Sequence, residues 1–296
     1  MKKSILLISL LISFSFLSVG QVELAPFVSV SATGSMEEVV SKVENSIKDA
    51  QFTIVGKYNV ANNSNLQVIC FTNDDLKKTC SLFSDRGALA SVLKIGVRKH
   101  DNKIEVSLIN PEYMFNAYFG KDYSKQGLAL KKIDKKAKNI LVNAFGPIKE
   151  FGGKLEKENL REYHYKVMMP YFQDATVLEE YDSFEKGLEY IRKKIAASGK
   201  DLVPVYEVVI PGKKMAVFGI GLHNAELGEG SFLPIIGERH IAAMPYEIIL
   251  QDKEVSMLPG KYRFALYWPE LTMGEFMKIM STPGDVEEAL EGLVER

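Results

Sequence analysis

Glu105-Val106-Ser107-Leu108-Ile109 and Glu254-Val255-Ser256-Met257-Leu258 align without a gap, and this pair of stretches decides how the chain reads. The same spacing carries Tyr113 onto Tyr262, Phe115 onto Phe264, Tyr118 onto Tyr267 and Phe119 onto Trp268. Upstream, residues 66–71 correspond to 215–220, and residues 91–97 to 244–250. Each is a short apolar run of strand length. Further back, Ser35-Met36-Glu37-Glu38 and Ser183-Phe184-Glu185-Lys186 both place a serine N-cap before apolar residues at helical spacing. In the first helix these are Val39, Val40, Val43 and Ile47, and in the second Leu188, Ile191 and Ile195. Spacing that stays nearly constant over so many elements points to two diverged tandem copies.

Each copy reads as strand, helix, strand, strand, short helix, strand, strand, helix. Hairpins and helices that do not strictly alternate predict an α+β fold, with an antiparallel sheet and a packed helix in each copy. One sheet face is covered by the amphipathic helix, and the sister copy is the simplest cover for the other. The hairpin turn is expected to be longer in the first copy (residues 98–103) than in the second (251–253). Four segments follow: a leader over 1–20, a first copy over 21–120, a basic helical linker with an extra strand over 121–178, and a second copy over 179–296. Residues 121–157 hold ten lysines against four acids, with Leu130, Ile133, Ala137, Ile140 or Leu141, and Ala144 on one helical face. Residues 163–172 read as strand-like. Thr272 with Glu275 forms a capping box, and Thr282 with Pro283 opens the last helix.

The leader has a positive start at Lys2 and Lys3, an apolar run over 5–17, and Ser18-Val19-Gly20 as small residues for a signal peptidase. Its apolar run is shorter than the roughly 20 residues that span a bilayer, so cleavage and export are expected rather than anchoring. No cysteine stands at the cleavage point for lipid attachment. No later stretch approaches membrane-spanning length. The expected location is periplasmic or secreted. The formal net charge of −1 offers nucleic acid no general attraction. Cys70 and Cys80 are the two cysteines. In an oxidising compartment they pair as a disulfide if their Cβ atoms come within reach, and otherwise remain two buried thiols.

Three stretches then carry a resemblance. They are Val68-Ile69-Cys70-Phe71-Thr72-Asn73, Gly87-Ala88-Leu89-Ala90 leading into residues 93–97, and Val106-Ser107-Leu108-Ile109-Asn110-Pro111-Glu112. Together they resemble the domain-of-unknown-function 302 family. In the second copy, Met244-Pro245-Tyr246 stands where many members have Leu-Pro-Cys. Any role of that family cysteine is absent here. The resemblance implies a fold and no particular chemistry.

Candidate sites lie mostly in the second copy. His223, Glu226, Glu229, Glu238, Arg239 and His240 fall within one loop and short helix, where the first copy has no histidine. Two histidines with glutamates are suited to a divalent metal or to acid–base hydrolysis near neutral pH, though no fixed ligand spacing accompanies them. Met273, Met277 and Met280 share a helical face, and Met168 and Met169 follow His164. Thioethers with a histidine suit Cu(I), while the same spacing suits ordinary core packing. Tyr262, Phe264, Tyr267 and Trp268 form an aromatic set echoed in the first copy, fit for shared packing or for an apolar ligand pocket. No dinucleotide, phosphate-loop or zinc fingerprint is present, so no cofactor is expected. The leading expectation is an exported, non-catalytic module that binds a small apolar ligand or a protein partner. A hydrolase sited in the second copy and a copper handler are the alternatives. The lysines of 121–157 can also meet an anionic surface, or serve as the solvated face of a helix.

Overall fold

The computed structural model describes residues 21–166 and 168–296, so the leader read in residues 1–20 lies outside the described residues. The first half runs β1 (Glu23–Leu24), β2 (Phe27–Ala32), α1 (Met36–Asp49), β3 (Thr53–Asn59), β4 (Leu66–Thr72), α2 (Asp74–Cys80), β5 (Leu93–His100), β6 (Lys103–Ile109) and α3 (Pro111–Phe119). Then come α4 (Gly127–Phe145), β7 (Lys149–Phe151), β8 (Leu155–Glu156) and α5 (Lys157–Leu160). The second half runs β9 (Thr176–Glu180), α6 (Phe184–Ala197), β10 (Leu202–Val209), β11 (Met215–Leu222) and α7 (Glu229–Ile236). It ends with β12 (Tyr246–Gln251), β13 (Glu254–Met257), α8 (Gly260–Tyr267), α9 (Met273–Lys278) and α10 (Thr282–Val294).

The chain is α+β, with two large antiparallel sheets and a small antiparallel pair of β1 and β8. The first is ordered β3-β4-β5-β6-β2-β7 and the second β10-β11-β12-β13-β9. Strand for strand the orders match, with β7 added at one edge of the first sheet. Both sheets carry a β-bulge in the pairing of their first edge strand, between Ile54 and Gly56 and between Pro204 and Tyr206. These bulged edges meet. A Cβ on Gly56 would lie 2.0 Å from the Val205 carbonyl oxygen, so only glycine admits this approach.

Alternation along the strands settles which face goes where. Lys94 and Gly96 of β5 point toward the second half, Lys94 to Glu247 and Gly96 to Ile241. Leu93, Ile95 and Val97, on the opposite face and fully buried, are roofed by α1. In the second half Glu247 points inward, while Leu250 packs on Gly187 of α6. The result is helix, sheet, sheet, helix, with the two inner faces together.

Local signals set the helices. Ser35 accepts from the Glu38 N–H and Glu38 returns the bond to Ser35, a complete capping box. Ser183 caps α6, and Thr272 with Glu275 caps α9.

Three expectations need correction. Both hairpin turns have two residues, because His100 pairs with Lys103 and Gln251 with Glu254. Asp101 and Asp252 open them at positive φ, and the extra length of the first copy lies in its strand. The segment given as a linker is built into the first half. α4 buries Leu130, Ile133, Ala137, Ile140 and Leu141 against α1 and the sheet, and β7 pairs with β2. The described residues of 163–172 form no strand, and Tyr163 and Phe172 both turn inward onto Tyr262 instead of alternating. No described helix is long and apolar enough to cross a membrane.

Candidate functional site

The inner faces meet through reciprocal contacts. The Tyr113 hydroxyl donates to the Leu266 carbonyl at 2.6 Å, and the Tyr262 hydroxyl to the Ala117 carbonyl at 3.5 Å. These are the same two positions exchanged between halves, as in the isologous interface of a two-fold dimer. The short helical turn Glu238–Ala243 packs on β4, β5 and β6, and its counterpart Gly87–Ser91 packs on β11 and β12. The Tyr267 hydroxyl shares a hydrogen bond with that of Tyr118, so Tyr262 and Tyr267 both spend their hydroxyls on holding the halves together.

Phe264 and Trp268, the other two members of the aromatic set, do something different. They form the floor of a cleft of about 220 Å³, whose walls include Met169, Leu271, Met273 and Phe276. One wall is α9, set by its capping box. The other is the turn segment around Tyr165, fastened where the Tyr163 hydroxyl donates to the Ala265 carbonyl at 2.8 Å. The Trp268 ring rests against Phe264 and His240, at centroid distances of 5.6 and 5.4 Å. Its indole N–H is buried and has no acceptor among the described residues. Lys166 and Lys261 stand at the mouth, and no carboxylate lines the cleft. A wider depression of about 410 Å³ near Lys121 and Arg161 is different in kind. It is open and polar, and those two cations pair with Glu162 and Glu158.

The histidine and glutamate candidates occupy separate surroundings. His223 donates from Nε2 to the Asn59 carbonyl at 2.9 Å and stacks on Tyr58, and burial lowers its pKa. Glu226 is exposed in the loop. Glu229 is fully buried and accepts from the Tyr58 hydroxyl (2.8 Å), the Ala61 N–H (2.8 Å) and the Leu222 N–H (3.2 Å). Burial pushes its carboxyl up to about 7. It ties the two halves together. His240 lies among Phe27, Phe151 and Trp268, and burial takes it down to about 4. Among the described residues no three of His, Cys, Asp and Glu gather to hold a metal ion.

The softer ligands are also apart from one another. His164 Nδ1 meets the Lys166 carbonyl at 2.9 Å, and its ring lies on Tyr171. Met168, Met273, Met277 and Met280 are all more than half exposed. The core-packing reading of that methionine face is thus corrected. Helix α9 buries none of its residues fully, and the neighbouring Phe276 and Ile279 take the inward places. Cys70 and Cys80 are both free and fully buried, one on a strand and one on a helix, and burial raises both thiols.

Sequence reasoning passed over the buried charges. Lys94 pairs with Glu247, which also accepts from the Tyr206 hydroxyl at 3.1 Å. Arg263 donates to the carbonyls of Ala243 and Pro245 and lies 3.8 Å over the Tyr246 ring. A single charge inside an apolar strand, as in Leu93-Lys94-Ile95 and Tyr246-Glu247-Ile248, is the signal that marks the first pair.

The fold and cleft thus define an α+β protein with two large sheets, reciprocal halves and a small aromatic-floored recess. Among solved structures, the chain is similar to the crystal structure of an uncharacterized conserved protein DUF302 from Bacillus stearothermophilus, with 12% identity and a TM-score of 0.36. The likeness covers 40% of this chain and 98% of that one. No protein-family model and no curated protein matches the chain.

Proposed function

We propose that this is an exported, non-catalytic binding module, built from two copies of one domain, which holds a small apolar molecule in the cleft beside Trp268. One observation carries the reading. Phe264 and Trp268 are buried beneath an open recess walled by Leu271, Met273 and Phe276, where a soluble fold would ordinarily fill the space with its own side chains. Apolar walls with a few polar groups at the rim are the usual make-up of a small-molecule site. The volume lies below the roughly 300 Å³ at which drug-sized pockets begin, so the body it takes is a single ring or a short chain. Export is supported by Lys2, Lys3 and the apolar run that follows them.

Trp268 is the only tryptophan of the chain, which makes the test direct. Anilinonaphthalene sulfonate, titrated into the protein, should bind saturably and take up energy from Trp268. Ala265→Phe fills the recess while keeping the tryptophan, and should abolish that transfer. Saturable binding that survives Ala265→Phe would place the probe elsewhere and sink the reading.

A further inference from the structure

We infer that the ligand of this cleft is an anionic amphiphile, with a small apolar body and one acidic headgroup held between Lys166 and Lys261. The inference rests on the binding reading above and adds the chemistry of the ligand. Both lysines border the recess and no acid lines it, so the mouth carries two positive charges and no negative one. Lys166 lies over the Tyr165 ring, with its nitrogen 5.1 Å from the centroid, and among the described residues neither lysine has a carboxylate partner. The cations of the wider depression, by contrast, are already matched. Glu275, the acid of the wall helix, is committed to its own cap, accepting from the Thr272 N–H at 2.9 Å and its hydroxyl at 2.7 Å. The charged groups that line the recess are therefore both cations. A neutral hydrocarbon would leave both unanswered, and an organic cation would be repelled. An acidic headgroup over an apolar body answers both the floor and the mouth.

A matched series of octanoate, octanol and octylamine, titrated against Trp268 fluorescence and by calorimetry, tests this. Octanoate should bind roughly tenfold or more tighter than octanol, with octylamine weakest, and its advantage should shrink as salt is added. Lys166→Gln with Lys261→Gln, both exposed, should bring octanoate down to the affinity of octanol for the same variant. If all three bind equally, or if the double variant keeps the preference, the anionic inference is overturned while the cleft stands. Should none of them bind, the binding reading itself fails. A lipid headgroup shares the acidic chemistry, so flotation with phosphatidylglycerol vesicles forms the last arm. Little flotation, displaced by octanoate, is expected, and strong flotation that octanoate does not displace would overturn the small-molecule form.

Discussion

Tyr118 and Tyr267 hold equivalent places in the two halves, 149 residues apart, and their hydroxyls share one hydrogen bond of 2.8 Å. Both rings are buried, so neither hydroxyl has water to fall back on. Tyr118→Phe or Tyr267→Phe alone should cost about 1–3 kcal/mol, because the surviving hydroxyl is left unsatisfied. The double variant should cost less than the sum of the singles. Urea unfolding of all four proteins reads this as a coupling energy. Strict additivity would mean that the two hydroxyls do not depend on each other.

Lys94 and Glu247 repeat that arrangement with charge. Each is the lone charged residue of a buried strand segment, at corresponding positions, and the two meet between the sheets. Lys94→Met should cost about 3–5 kcal/mol, since Glu247 then remains buried without its counter-charge. Lys94→Met with Glu247→Leu removes both charges and should recover much of that loss. Lys94→Glu should be the most damaging, placing two carboxylates together. The midpoints of denaturant unfolding rank these variants, and a double variant worse than either single would show that the pair itself stabilises the fold.

Such pairs explain what the sequence could and could not convey. The capped helices and the Glu-Val-Ser strands are local patterns, set by caps and alternation within a few residues, and were legible. That Lys94 answers Glu247 depends on how two distant sheets approach, which no local pattern encodes. The face of Met273 and Met277 shows the same limit. Helical spacing was plain, but a helix of under two turns leaning on Leu271 and Phe276 leaves the methionines outside. Phe264 and Trp268 stood out as aromatic residues. The recess above them needed the segment at 163–172, whose apolar and aromatic content reads as a strand until Tyr163 and Phe172 are seen turned inward.

Gly96 marks where the second half comes closest to the first sheet. A Cβ there would lie 2.6 Å from Ile241 Cγ1 and 3.1 Å from the Ala242 nitrogen. Gly96→Ala should therefore cost about 1–3 kcal/mol by overpacking. Ile241→Ala removes the Cγ1 that is struck, so it should cost less on the Gly96→Ala background than in the parent. Thermal unfolding of the single and double variants gives the answer. A Gly96→Ala protein as stable as its parent would mean that the turn Glu238–Ala243 can lift off β5 without loss.

Glu229 and His240 make the pH dependence of stability a test of their burial. Burial holds the Glu229 carboxyl up at about 7, above its ordinary 4.5, although hydrogen bonds from Ala61, Tyr58 and Leu222 work against the rise. Between those values the folded protein keeps a proton that the unfolded chain has released, so this group makes stability fall as pH rises. For His240, burial and then the charge of Arg239 lower the ring from 6.5 to about 4. Between those values the unfolded chain holds the extra proton, and stability rises with pH. The two slopes oppose each other over most of their shared range. Removing either one exposes the other. His240→Phe, which suits its aromatic surroundings, should lose stability relative to the parent as pH climbs from about 4 to 6.5, by up to about 3 kcal/mol. Glu229→Gln should gain relative to the parent between about 4.5 and 7, by a similar amount. Urea unfolding across that range measures both differences. If either variant is offset from the parent by the same amount at every pH, the group it replaces does not titrate differently on folding.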